Sequence, residues 1–175
     1  KESFTARFKK TVIMPAGIDT KIFHPTEGLV RKKYSVCMVG RISTVKHIEL
    51  GIQVVEKMVS SGSQISLEIV GPILKNDSGY YDFLKKYVAD NNLSTAVRFT
   101  GAVSQDRLPE IYSSHEVCLN LTQSGSFDKT IVEASLCGAI PLVSNTSLKN
   151  WLPEVCLTDN LAENIAKSIR KILDP

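Results

Sequence analysis

No apolar run in this 175-residue chain approaches the roughly 18 residues that a membrane-spanning helix needs, so hydropathy gives no bilayer span. The opening stretch KESFTARFKK lacks the apolar core of a signal peptide, and the chain is expected to be cytoplasmic or to face the cytoplasm. Peripheral membrane association of a parent protein stays open. Basic residues form no stripe interleaved with aromatics, aromatics are only 7% and the net charge is +3, so nucleic acid is not an expected partner. There is no CxxC pair. Cys37, Cys118, Cys137 and Cys156 each sit in an apolar segment and read as buried reduced thiols rather than metal ligands or disulfides. Low-complexity tracts and internal repeats are also missing, which removes disorder and solenoid architectures from consideration.

What is present is a globular balance, 43% hydrophobic and 22% charged, at a length that supports one full core. Short apolar runs bounded by Gly, Pro or Asn read as strands: residues 11–17, 34–40, 65–71, 96–101, 116–122, 140–144 and 155–158. Between them, residues 46–61, 80–93, 105–115, 129–137 and 160–173 carry apolar positions at helical spacing. Alternation of this kind gives an α/β fold of three layers, a mostly parallel sheet flanked by helices on both faces. Ligands of such folds bind beyond the carboxyl ends of the strands, so the loops there hold the candidates. Residues 1–33 read as an approach segment with a first strand, ahead of a regular domain over 34–175.

In VGRISTVK, Gly40 ends a strand, and Arg41 and Lys46 stand where the next helix begins. Cations are unfavourable beside the positive end of a helix, and two of them there point to an anion such as a diphosphate. The same side chains would equally point into solvent. TGAVSQDRL offers Gly101 for close backbone approach, with Val103 and Gln105 after it, and LEIVGP ends a strand on Gly71; a glycine at either place would also serve a turn alone. In SGSFDKTIVEAS, Glu133 lies inside an apolar run. Thr130 and Glu133 have capping-box spacing, which explains the acid as readily as a ligand does. His24, His47 and His115 read as surface or helix-start histidines.

Taken together, PAGIDTKIFHP, MVGRISTVKHIELGIQVVEKM, LEIVGP and the stretch from VRFTG to IPLVS resemble the C-terminal, donor-binding half of a family 4 (group 1) retaining glycosyltransferase with the GT-B fold. The resemblance runs in order over residues 12–173. It implies a Rossmann-like domain binding a nucleoside diphosphate sugar (UDP-, GDP- or ADP-linked), with no further cofactor and no metal. Arg41 and Lys46 match the family's GR-x4-K pattern and would hold the diphosphate beside Gly40, acting catalytically on the departing charge. Gly71 belongs to the same rim, the segment around Val103 and Gln105 would contact the base, and Glu133 would bond the ribose. Ser126, Phe127, Asp128, Lys129 and Thr130 would line the sugar and phosphate positions. The family's usual pair of glutamates is incomplete, because the first falls on Gly125; Ala16 stands where the family has Asn. Asp128 and Lys129 are near enough in sequence to substitute for that first acid.

The resemblance also implies an N-terminal acceptor-binding domain that these residues do not contain, so the domain alone is expected to bind nucleotide and turn over poorly. Two other readings stay open: a GT-B relative that binds nucleotide without transferring sugar, and a non-enzymatic α/β interaction domain.

Overall fold

A computed structural model describes residues 17–123 and 128–174. Five strands, β1 (Ser35–Val39), β2 (Ser66–Val70), β3 (Val97–Gly101), β4 (Val117–Asn120) and β5 (Ile140–Val143), form one sheet in the order β3-β2-β1-β4-β5. All four pairings are parallel. The helices between them are α1 (Ile48–Ser60), α2 (Ser78–Asp90), α3 (Leu108–Ser114) and α4 (Lys129–Leu136), with α5 (Ala162–Leu173) closing the described chain. The three-layer α/β fold expected from the sequence is thus observed.

Side-chain alternation along the strands divides the core. Val36 and Met38 of β1 and Leu67 and Ile69 of β2 point to the face covered by α1, α2 and α5. Cys37 and Cys118 point to the other face and pack with Tyr112, Ala134 and Cys137 of the α3 and α4 segments. The four cysteines are buried and unpaired, as expected. Helix α5 presents Ile165, Ala166 and Ile169 inward, and burial of an Ile side chain contributes about 1.5–3 kcal/mol.

The chain runs outward through β1, β2 and β3, then returns to lay β4 on the other side of β1. That reversal opens a crevice beyond the carboxyl ends of β1 and β4.

Three glycines shape the rim of this crevice. Gly40 N–H donates to Val70 O (2.9 Å) and Gly71 N–H to Gly101 O (2.8 Å). Gly71 has φ 152°, and a Cβ built on it would stand 1.9 Å from the Gly40 carbonyl oxygen. The pairing continues past the glycines, since Ile42 N–H reaches Pro72 O (3.0 Å). Gly71→Ala is therefore expected to destabilise the fold by about 1–3 kcal/mol, read as a lowered denaturation midpoint at unchanged m.

Two expected strands differ. Residues 11–16 lie outside the described residues and Gly17 is in no strand. Residues 155–158 form a 3-10 turn (Glu154–Cys156) and a single bridge from Leu157 to Val143, because Pro153 starts the turn before a strand can form. Residues 17–33 carry turns only and dock on α3: Phe23 is buried against Tyr112, and Thr26 N–H donates to Ser113 Oγ (3.0 Å).

Candidate functional site

The crevice between β1 and β4 collects polar groups from three separate elements. After β1, a 3-10 turn (Thr44–Lys46) delivers Lys46, whose side chain lies over Gly40. Asn120 is the last residue of β4, and Thr122 follows it. Across from them, Asp128 caps the N-terminus of α4. Together with Val39, Gly40 and Ile48, the residues Lys46, Asn120 and Thr122 line a small cavity at the switch point.

Lys46 Nζ forms a direct ion pair with Asp128 Oδ2, and both side chains are largely buried. The same oxygen accepts from Asn120 Nδ2 (2.9 Å) and lies 3.5 Å from Thr122 Oγ1. The other carboxylate oxygen accepts from Thr130 N–H (3.3 Å) and Thr130 Oγ1 (3.0 Å). Burial works against the charge on Asp128, yet the bonds from Lys46, Asn120 and Thr130 hold its carboxyl below the usual range. Ser43, between Arg41 and Lys46, is also buried, and its hydroxyl has no partner among the described residues.

Glu133 is 7% exposed and accepts a hydrogen bond from Tyr112 Oη (3.0 Å). Burial pushes its carboxyl up, the Tyr112 bond offsets only part of this, and the nearby Asp128 charge adds to it. The capping-box reading of Thr130 and Glu133 does not hold. The cap is Asp128, two residues earlier, so Glu133 falls in the helix body, where no free N–H needs it. The acid in the apolar run is satisfied instead by a tyrosine from α3.

The remaining candidates are spread along the rim. Arg41 is half-exposed and makes a loose ion pair with Asp77 at 3.8 Å. Lys129 and Thr130 open α4, and Asn120 Nδ2 also donates to Thr130 Oγ1 (3.0 Å). Gly71 is required by the Gly40 carbonyl packed against it, which accounts for the residue type without a ligand. Val103 is half-buried and Gln105 exposed at the start of a 3-10 turn after β3. They do not reach the Lys46 cavity; Val103 lines a separate groove with Arg98, Thr100 and Arg107. Ser126 and Phe127, like Gly125, lie outside the described residues.

Asn120 and Tyr112 escaped the sequence reading. The one available signal was Asn120 itself, a polar residue inside the otherwise apolar strand EVCLNLT. His115 corrects an expectation: it is not at the surface but 2% exposed, and Nε2 lies 3.4 Å from Glu68 Oε2. His24 is exposed and His47 caps α1, as expected.

An all-parallel, doubly wound sheet with a crevice at its switch point defines a Rossmann-like class of domain. The family described as glycosyl transferases group 1 matches residues 19–174. The chain belongs to that family. It is 26% identical over 175 residues to a GDP-mannose-dependent alpha-(1-6)-phosphatidylinositol dimannoside mannosyltransferase of Mycobacterium tuberculosis, covering 93% of this chain and 44% of the relative. It is 25% identical to the GtfA subunit of a UDP-N-acetylglucosamine–peptide N-acetylglucosaminyltransferase of Streptococcus pneumoniae, covering 80% of this chain and 26% of that protein. The chain thus spans less than half the length of these relatives. Among solved structures, sucrose-phosphate synthase of Thermosynechococcus elongatus superposes with a TM-score of 0.82 at 24% identity, over 95% of this chain and 44% of that one. Anabaena HepE in complex with UDP and glucose superposes with a TM-score of 0.78 at 18% identity, over 90% of this chain and 46% of that one. Both likenesses establish the fold. Among the described residues, no helix is long and apolar enough to cross a membrane and no cluster of His, Cys, Asp and Glu has the makings of a metal site.

Proposed function

We propose that these residues bind the nucleoside diphosphate sugar of a retaining glycosyltransferase, with the acceptor held by another domain of the full protein. The observation that carries this reading is Lys46, a largely buried cation at the switch-point crevice. In the proposed complex Lys46 and Arg41 bond the diphosphate, and the charge left when the sugar departs falls between them. Val103 and Gln105 contact the base, Glu133 bonds the ribose hydroxyls, and Lys129 and Thr130 border the sugar. The UDP- and GDP-linked donors named for the relatives are the first candidates, with ADP-linked sugars as the third.

Calorimetric titration with UDP, GDP and ADP tests the reading, and absence of binding by all three at millimolar concentration would remove its basis. The ribose assignment has its own test. Glu133→Gln keeps the Tyr112 contact but loses the charged acceptor, and is expected to weaken binding of the preferred nucleotide by about 1.5–3 kcal/mol. Binding of the matching 2′,3′-dideoxynucleotide should barely change; equal losses for both would return Glu133 to a structural role. Gly125, in the place of the family's first acid, favours a second reading: a relative that binds nucleotide without transfer. Donor hydrolysis or transfer by the full protein decides between them.

A further inference from the structure

The five donor groups around Asp128 exceed what a helix cap needs. Thr130 N–H and Oγ1 suffice to fix an N-cap carboxylate, yet Lys46 reaches it from the β1 side of the crevice, Asn120 from the end of β4, and Thr122 stands beside them. Donors converging from separate elements on two anionic oxygens, at the N-terminus of α4, have the composition of a phosphate site. Here the chain's own carboxylate fills it.

We infer that Asp128 acts as an internal stand-in anion, so that a nucleoside diphosphate gains Lys46 only by exchanging with this carboxylate. The inference rests on the donor-site reading above and adds a specificity device to it. With three-quarters of the Lys46 side chain out of solvent, its ammonium is more stable beside a counter-charge than alone in the crevice. In the free chain Asp128 supplies it; in the complex the diphosphate, which carries more charge, takes over. Weakly charged ligands, a neutral sugar or a nucleoside, cannot make the exchange. Asp128 therefore sets a threshold of ligand charge below which Lys46 stays closed to ligand.

Removing the carboxylate should open the site. Asp128→Ser keeps a good N-cap residue and clears the charge, and Asp128→Asn keeps the shape. Both are expected to tighten binding of the preferred nucleoside diphosphate by about tenfold in calorimetry. The gain should vanish in a Lys46→Met background, since no cation is then released. In the free chain, the Lys46 ammonium should give a protected proton NMR signal that either Asp128 substitution abolishes. Unchanged or weaker diphosphate binding by both variants, with the wild-type chain binding normally, would overturn the inference and leave the donor-site reading intact. Weaker binding of the nucleotide sugar alone, with the diphosphate unaffected, would also overturn it and assign Asp128 to the sugar. If no form of the chain binds any nucleotide while the protected Lys46 signal is present, the donor-site reading fails and the inference with it, although the pair itself stands.

Discussion

Lys46→Met is expected to weaken binding of nucleoside diphosphates by about 2–5 kcal/mol, the range for truncating one member of a desolvated, hydrogen-bonded charge pair. Lys46 is largely buried, so its interaction with an incoming phosphate is little screened by solvent. Arg41 provides the internal comparison. It is half-exposed with only a loose contact to Asp77, and Arg41→Met should cost about 1 kcal/mol or less unless the complex buries it. Titration of both variants with one nucleotide checks the ordering, and equal losses would place the anion at the rim rather than in the crevice. The same Lys46 substitution leaves Asp128 buried without its countercharge, so the folded state weakens as well. Binding is therefore to be compared at a temperature where circular dichroism shows both chains folded.

The second large effect lies away from the crevice. Glu68, on β2, is buried and gathers Arg98 Nη2 (2.6 Å), Thr100 Oγ1 (2.6 Å) and the His115 ring (Nε2 at 3.4 Å). Nδ1 of that histidine is 2.7 Å from the Ile111 carbonyl oxygen, so both ring nitrogens face oxygen acceptors. Glu68→Ala removes the shared acceptor of three groups, of which His115 is buried while Arg98 and Thr100 are exposed to water, and is expected to destabilise the fold by about 1–3 kcal/mol, the cost of leaving one buried polar group unpaired. Urea denaturation measures it; a loss below about 1 kcal/mol would mean that water replaces the carboxylate without penalty.

The pH dependence of this network has a definite sign. The bond from His115, aided by those from Thr100 and Arg98, outweighs burial and holds the Glu68 carboxyl far below the usual carboxylate range. The unfolded chain therefore takes up the proton first. The contribution of Glu68 is fully present above its unfolded pKa of about 4.3 and is lost as the pH falls below that value toward the folded one. In Glu68→Gln the stability profile should be flatter below that pH than in the wild-type chain.

Order and type of the elements were legible in the sequence because each strand is a short apolar run with Gly, Pro or Asn at its ends, and each helix carries a 3.6-residue stripe. VCLT was not distinguishable from a strand by the same rule. Its Cys156 is buried beneath a turn while Val155 is exposed, and nothing in four residues separates that from half-buried pairing. Arg41 and Lys46 stood out through their position after Gly40, but their difference in burial depends on what lies across the crevice. Asp128 and Asn120 come from segments more than seventy residues away, which local spacing cannot report. Glu133 shows the same limit. Thr-x-x-Glu spacing fitted a cap, and only the packing of α3 on α4 revealed Tyr112 as its partner.

The interlocked glycine rim also governs how the site adapts. Ile42 is hydrogen-bonded to Pro72 O and bridged to Ile73, and Gly40 is wedged against Gly71, so the backbone that carries Arg41 is anchored to the neighbouring strand on both sides of the crevice edge. That edge is a fixed jaw. Accommodation of ligands of different size falls to the two long cationic side chains, whose several rotatable bonds let them follow an anion while the sheet beneath keeps its register.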